Sequence, residues 1–260
     1  MNRRSVLSVI CVACLLLGGC VSTAPAATTH MPVEAKPAEA EQRAFTMTYE
    51  GRGIFTQHIG DEGPRVLVIG GIHGSEPEGL EPALALIEEM RAGELGVRAV
   101  VVEDLNPDGS VKLSRYNSRG VDLNRNWPAS NFSSGFRHGE EPLSEIETAY
   151  CYSLIEEFKP ELVFVLHSIH SGPFVNYDGP ALSYAESFAT AADIADDSRD
   201  WRLQADMGYP TPGSIGSYVG EDLGIPILTI EFDRGHEQSG ATAALIAGVR
   251  ASVSELTAGR

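Results

Sequence analysis

Cationic side chains are scarce in this 260-residue chain: 19 Lys and Arg stand against 36 Asp and Glu, for a formal charge of -17. A surface of that sign repels phosphates and excludes nucleic acid as a partner, while leaving open a small zwitterionic ligand in a local pocket. Cysteine is also rare, with four in all. Aromatic residues make up only 7%. No internal repeat is visible, so solenoids and propellers are out. The longest apolar run, Val6 to Leu17, is too short to span a bilayer as a helix. Forty-three per cent of the residues are hydrophobic, which is ample for one large α/β core.

That short run sits at the start, in "MNRRSVLSVICVACLLLGGC". Arg3 and Arg4, an apolar stretch and small residues before a cysteine form a secretory signal over residues 1–19. "LGGC" resembles a bacterial lipobox, which implies cleavage before Cys20 and lipid on its sulfur. "RRSVLS" also resembles a twin-arginine signal, so both export routes stay open. Losing two arginines takes the mature charge from -17 to -19. Cys11 and Cys14 leave with the signal, and with Cys20 lipidated only Cys151 is left. No intrachain disulfide is then possible, and Cys151 in its helical context is expected to be a buried, inert thiol. Val21 rather than Asp after the lipidated cysteine points to the outer membrane.

Residues 20–43 are rich in Ala, Pro, Thr and Glu and are expected to be a flexible tether, with His30 solvated, ahead of a single domain over 44–260. A hairpin is expected over 45–59, with His58 on an exposed strand. Continuous apolar runs then predict strands at 65–70, 97–102, 161–167 and 225–231. Helices are expected at 76–91, 144–158, 181–194 and 240–256, the first two started by capping boxes at Ser75-x-x-Glu78 and Ser144-x-x-Glu147. The alternation gives an α/β fold: one domain, a mostly parallel mixed sheet, helices on both faces. Sites in such sheets lie at the carboxyl ends of the strands.

Four chemically active side chains fall at those ends. Gly70 and Gly71 close the first run, and His73 and Glu76 follow; the third run ends at His167 and the fourth at Glu231. Histidine and carboxylate donors are what a catalytic zinc ion takes, with one position kept for water. "LHSIHSG" offers both His167 and His170 as the third donor. Arg115, Arg119 and Arg125 crowd residues 106–128, where guanidinium groups are suited to a substrate carboxylate or a developing oxyanion.

"HGSE", "NPDG", "GVDLNRNWP", a strand-end histidine and the Glu of "LTIEF" together resemble the zinc metallocarboxypeptidase family, in order, over residues 65–233. "RYNSRGVDLNRN" and "GYPTPGSIGSYVGEDLGIPILTIEF" are most similar to its murein peptide amidase A branch. The resemblance implies a metallocarboxypeptidase-like fold and one Zn2+ per chain held by His73, Glu76 and His167. It implies Glu231 as general base, Arg115 polarising the scissile carbonyl, and Asn124 with Arg125 docking a terminal carboxylate. The implied reaction is hydrolysis of the γ-D-glutamyl–diaminopimelate bond of murein peptides. Pancreatic-type members carry a mobile tyrosine over the substrate; here "TPGSIGSY" offers Tyr218, but the amidase branch does without that tyrosine and none is assigned. Ser214 and Ser217 are expected near the substrate, His138 and His236 in surface loops. Two other readings stand beside this one: an aspartoacylase-type N-acyl amino acid deacylase, and a non-catalytic cell-wall-binding lipoprotein.

Overall fold

In the computed structural model, residues 40–259 are described; the signal segment, Cys20, His30 and most of the expected tether lie outside them. Eight strands form one mixed sheet: β1 Ala40–Met47, β2 Gly53–Ile59, β3 Arg65–Ile69, β4 Arg98–Val102, β5 Leu162–Ile169, β6 Phe174–Asp178, β7 Arg202–Gln204 and β8 Ile227–Asp233. Their spatial order is β1-β2-β4-β3-β5-β8-β6-β7. The four expected apolar runs are its parallel centre, β4-β3-β5-β8. The hairpin and β6 pair with that centre antiparallel. β1 begins at Ala40, upstream of the expected domain start at 44.

The continuous apolar runs have a simple cause. In β3, Val66 and Val68 pack on one face while Leu67 and Ile69 pack on the other. In β5, Leu162, Phe164 and Leu166 face one way and Val163 and Val165 the other. Each strand is buried on both sides, so alternation in polarity is absent. The first face is covered by α1 (Leu80–Arg91), α4 (Leu182–Ala195) and α5 (Gln238–Ala258). The second is covered by α3 (Ile146–Phe158), Trp127 and a π-helical segment at Gly216–Asp222. Cys151 is buried there, and burial pushes its thiol up to about 12. No helix among the described residues is long and apolar enough to cross a membrane.

Neither expected capping box forms. After a short 3-10 turn at Pro77–Gly79, α1 starts at Leu80, and the Glu78 carboxylate instead accepts from Ser168 Oγ and from the Gly235 N–H. In α3, which starts at Ile146, the N-cap position is held by Glu145 rather than Ser144, and Glu147 accepts from Asn117 Nδ2 at 3.3 Å. In both cases tertiary partners outcompete the local reciprocal bond. β6 and β7 were not expected; both are short, and β7 has only three residues.

The crossover from β3 runs to β4 on one flank, and the crossover from β4 returns past β3 to β5 on the other. β4 lies next to β3 on one flank and β5 on the other, so the chain reverses direction at β3. A crevice opens at the carboxyl ends of β3 and β5 for that reason. α2 (Pro107–Ser110), capped by Asn106 Oδ1 accepting from the Gly109 N–H at 2.9 Å, packs beside it.

Candidate active site

The chain leaves β3 through Gly70-Gly71-Ile72-His73-Gly74, and packing explains the glycines. Gly71 has φ +66, a conformation that side chains disfavour, and a Cβ there would meet Asp104 Cα at 2.8 Å. A Cβ on Gly74 would meet the Gly109 carbonyl carbon at 2.0 Å. The loop therefore lies against the NPDG turn, and this turns His73 and Glu76 into the crevice.

There they meet β5. His73, Glu76 and His167 are all buried, and each offers one donor atom, all within 4.8 Å of one another. His73 Nδ1 lies 3.0 Å from Glu76 Oε1, and His167 Nδ1 lies 2.8 Å from Glu76 Oε2. Two imidazoles and a carboxylate in that arrangement fit the donor set of a catalytic zinc site. Burial alone would raise the Glu76 carboxyl, but His167 and His73 outweigh it and hold the group well below the carboxylate range. His170 is not in this cluster. β5 ends at Ile169, and His170 stands exposed at the cleft rim.

His73 has a partner that sequence reading missed. Its Nε2 lies 2.9 Å from Asp122 Oδ1, and Asp122 Oδ2 accepts from Arg115 Nε at 2.9 Å. Asp122 is buried; desolvation opposes its ionisation, while His73 and Arg115 hold its carboxyl well below the usual range. The residue lies inside "GVDLNRN", and a polar side chain in that motif, two residues from Asn124, was the signal available.

Glu231 sits opposite His167 in the parallel β5–β8 pairing. Only 7% of it is exposed, and burial pushes its carboxyl up to about 6, with Glu76 adding to the rise and His167 opposing it. The cleft in front has a volume of about 470 Å³ and is lined by Arg115, Asn124, Arg125, Glu231 and Arg234 among others. Arg115 Nη1 donates to Glu76 Oε1 at 3.3 Å, and Arg234 Nη2 lies 3.6 Å from the same oxygen. Arg125 differs: among the described residues it is ion-paired to no carboxylate, and its Nη1 donates to the Asn124 carbonyl at 2.6 Å. Burial presses its guanidinium below its usual value.

Other expectations resolve individually. Ser214 lines the cleft, whereas Ser217 is buried beside it and accepts from Asn131 Nδ2 at 2.9 Å. Arg119 points away, stacked over Tyr49 at 5.0 Å. Tyr218 is buried against Trp127, with ring centroids 6.1 Å apart, and Tyr209 is the tyrosine that lines the cleft. His138 lies in a loop, Nδ1 2.6 Å from the Ser133 carbonyl. His58 is half-buried on β2. His236 corrects the surface reading: it is 3% exposed, bonded through Nε2 to Asp196 Oδ2 at 2.7 Å, and in ring contact with Trp201 and Phe232. "DRGHEQ" looks solvated in sequence because its apolar neighbours come from elsewhere in the chain.

The sequence profile of the family described as zinc carboxypeptidase matches residues 32–240. Murein peptide amidase A of Escherichia coli strain K12 is 31% identical over 183 residues, covering 64% of this chain and 70% of that protein. Murein peptide amidase A of Vibrio campbellii is 26% identical over 185 residues, covering 64% and 68%. Among solved structures, murein-tripeptide amidase MpaA from Escherichia coli O157 has a TM-score of 0.62 at 24% identity, over 84% of this chain and 94% of that one. Carboxypeptidase A from Helicoverpa armigera has a TM-score of 0.69 at 21% identity, over 85% and 70%. At those identities the structures speak for the fold.

Proposed function

From the premise that the chain belongs to the zinc carboxypeptidase family and is a zinc-dependent hydrolase, we propose that it cleaves an amide bond next to a free-carboxylate residue in murein peptides, at γ-D-glutamyl–diaminopimelate. The observation that carries this is Arg125. An arginine in a cleft, without a carboxylate of its own among the described residues and with Asn124 beside it, is ready for a ligand carboxylate. The murein peptide amidase relatives supply the substrate class. Neither the deacylase nor the non-catalytic reading is favoured by those matches.

His73, Glu76 and His167 hold the zinc ion, which when bound supplies Lewis acidity and lowers the pKa of water. Glu231 accepts the proton of the attacking water and returns it to the leaving amine. Its elevated pKa suits both transfers. Arg115, held by Asp122, offers its N–H groups to the carbonyl oxygen as charge develops there. Arg125 and Asn124 hold the carboxylate of the leaving residue and so set where the chain is cut.

The chain is placed by us on the periplasmic side of a bacterial membrane, anchored by lipid on Cys20, with "LGGC" as the support. Cys20→Ala should release the protein from membranes and abolish labelling with a fatty acid; labelling that persists would remove the anchor.

Digestion of L-Ala-γ-D-Glu-diaminopimelate tests the catalytic reading. The free acid should be cut, and the form amidated at the leaving residue's α-carboxylate should be cut poorly, because the Arg125 fork is then left unpaired. Arg125→Lys should behave as a disruptive change, since an ammonium cannot reproduce the fork. Equal cleavage of acid and amide by the wild type would sink the carboxylate-docking role.

A further inference from the structure

The cleft carries one more arginine than the proposed reaction uses. Arg115 and Arg125 have roles there; Arg234, just beyond the end of β8, lines the same cleft. Its backbone N–H donates to the Ile169 carbonyl at 3.2 Å, and its Nη1 donates to the Ser75 carbonyl. The first contact fastens it to the end of β5, the second to the loop after β3. The guanidinium is thus held from two strand ends.

Most of its fork is unspent. Among the described residues the Ser75 carbonyl is the one hydrogen-bond partner of the side chain. Two carboxylates lie near but beyond bonding distance, Glu76 Oε1 at 3.6 Å from Nη2 and Glu78 Oε2 at 3.7 Å from Nη1. Both have closer partners. Glu76 meets His73 at 3.0 Å and His167 at 2.8 Å, and Glu78 accepts from Ser168 Oγ and from the Gly235 N–H. A guanidinium has five N–H donors and suits a carboxylate bidentately. The side chain is 24% exposed, so those donors can be reached from the cleft.

What the other two arginines hold decides what reaches this one. Arg125 takes the carboxylate of the leaving residue, with Asn124 beside it tied to the Ile215 N–H at 3.0 Å. Arg115 takes the scissile carbonyl oxygen. Arg115 Nη1 lies 3.3 Å from Glu76 Oε1, and Arg234 Nη2 lies 3.6 Å from the same oxygen. The two nitrogens flank one atom and cannot be farther apart than those distances together. Arg234 is fastened to the loop after β3 and to β5, not to the turn that holds Asn124. The acyl residue, across the scissile bond from the leaving one, is the part of the substrate left to meet it. Asp178 and Glu221 also line the cleft, and burial with Glu221 nearby pushes the Asp178 carboxyl up to about 6, so a further anion is repelled there.

Resting on the function proposed above, we propose that Arg234 receives the free α-carboxylate of the γ-glutamyl residue, so that the enzyme distinguishes this residue from its α-amidated form. A γ-linkage uses the side-chain carboxyl and leaves the α-carboxylate charged. Four C–C bonds of about 1.5 Å separate that carboxyl carbon from the scissile one, a reach of about 5 Å when extended. A charge-assisted bond adds about 2.8 Å. That reach covers the gap from the guanidinium at the carbonyl oxygen to the one beyond Glu76. An α-carboxamide has nearly the same shape, but it is neutral and brings donors to a fork that only donates.

Two tripeptides with the same leaving residue, its carboxylates free, test this: L-Ala-γ-D-Glu-diaminopimelate and L-Ala-γ-D-isoglutaminyl-diaminopimelate. In the wild type, kcat/KM for the glutamyl peptide should exceed that for the isoglutaminyl peptide by about tenfold or more. Arg234→Gln should bring the ratio close to one while zinc content is retained. Arg234→Lys keeps a charge and loses the fork, and should give a ratio between the two. An arginine that only staples the loop after β3 to β8 would, when replaced, slow both peptides alike and leave the ratio unchanged. Inhibition of the wild type by L-Ala-D-Glu against L-Ala-D-isoglutamine gives the same comparison without any variant. A wild-type ratio near one, or a ratio that survives both substitutions, would overturn the proposal and leave the carboxylate-docking reading standing. Equal cleavage of peptides amidated and free at the leaving residue is the separate result that removes that reading. Cleavage of none of these peptides would overturn both.

Discussion

Asp122 Oδ1 stands 2.9 Å from His73 Nε2, on the side of the ring away from Glu76, while Asp122 Oδ2 holds Arg115. One buried carboxylate thus orients both an imidazole of the candidate metal cluster and the guanidinium beside it. A partner of this kind fixes the tautomer and raises ligand basicity. Asp122→Asn keeps the shape and removes the charge. Zinc affinity should fall by about 10–100-fold, read by competition with a chromogenic chelator. An unchanged affinity would reduce Asp122 to a packing residue.

His167 and His170 are three residues apart, but only the first lies on β5 facing Glu76. Metal analysis of the two alanine variants separates them. His167→Ala should lose zinc and activity together. His170→Ala should keep full zinc, since it stands at the rim. Zinc retained by His167→Ala would move the third donor elsewhere.

The parallel centre and its site were legible because both follow from local rules. Runs such as "RVLVI" and "LVFVL" are apolar on both faces, and sites of parallel sheets collect at their carboxyl ends. That rule put His73, Glu76, His167 and Glu231 at the strand ends, and the structure brings them to one cleft. What escaped was set by long-range contacts. Glu78 looks like a capping acid, yet it bonds to Ser168, ninety residues away. His236 reads as a loop residue, but Asp196 and Trp201 come from the segment after α4 to bury it. Strand β7 has no pattern to detect in three residues, Arg202–Gln204, two of them exposed. Tyr218 and Tyr209 are nine residues apart in one motif, and only the packing of Trp127 shows which one is buried.

Asp178 also makes a prediction about stability. Its folded-state pKa, about 6, lies above the ordinary aspartate value of 3.8. The folded protein therefore binds more protons than the unfolded chain between these limits, and this group makes stability fall as pH rises through that window. Above about 6 the destabilisation is fully present. Asp178→Asn removes it, so the variant should be more stable than wild type at pH 7.5, by on the order of 1 kcal/mol after allowance for solvent in the cleft, and unfold at a higher temperature. The advantage should fade as pH falls toward 4. Thermal unfolding of both proteins across that range checks it, and a variant no more stable at pH 7.5 would mean that solvent already screens the carboxylate.

Glu231→Gln is the sharpest test of the proposed chemistry. The carboxylate lies 7% exposed opposite His167, and nothing in its place on β8 requires a charge for folding. Glutamine preserves volume and the capacity to hydrogen-bond, and removes basicity alone. Zinc content should stay at one per chain, because the three donors are untouched. KM for the murein tripeptide should change little, because Arg125 and Asn124 still hold the carboxylate. The rate constant kcat should fall by about 10²–10⁴-fold, the range that general acid–base catalysis supplies. Tyr209 and His170 are among the other titratable groups that line the cleft, and they are the ones to test as a substitute base. A kcat within tenfold of wild type would pass the role to one of them. The double variants Glu231→Gln with Tyr209→Phe and with His170→Ala would then show which, by the further loss that only the true base produces.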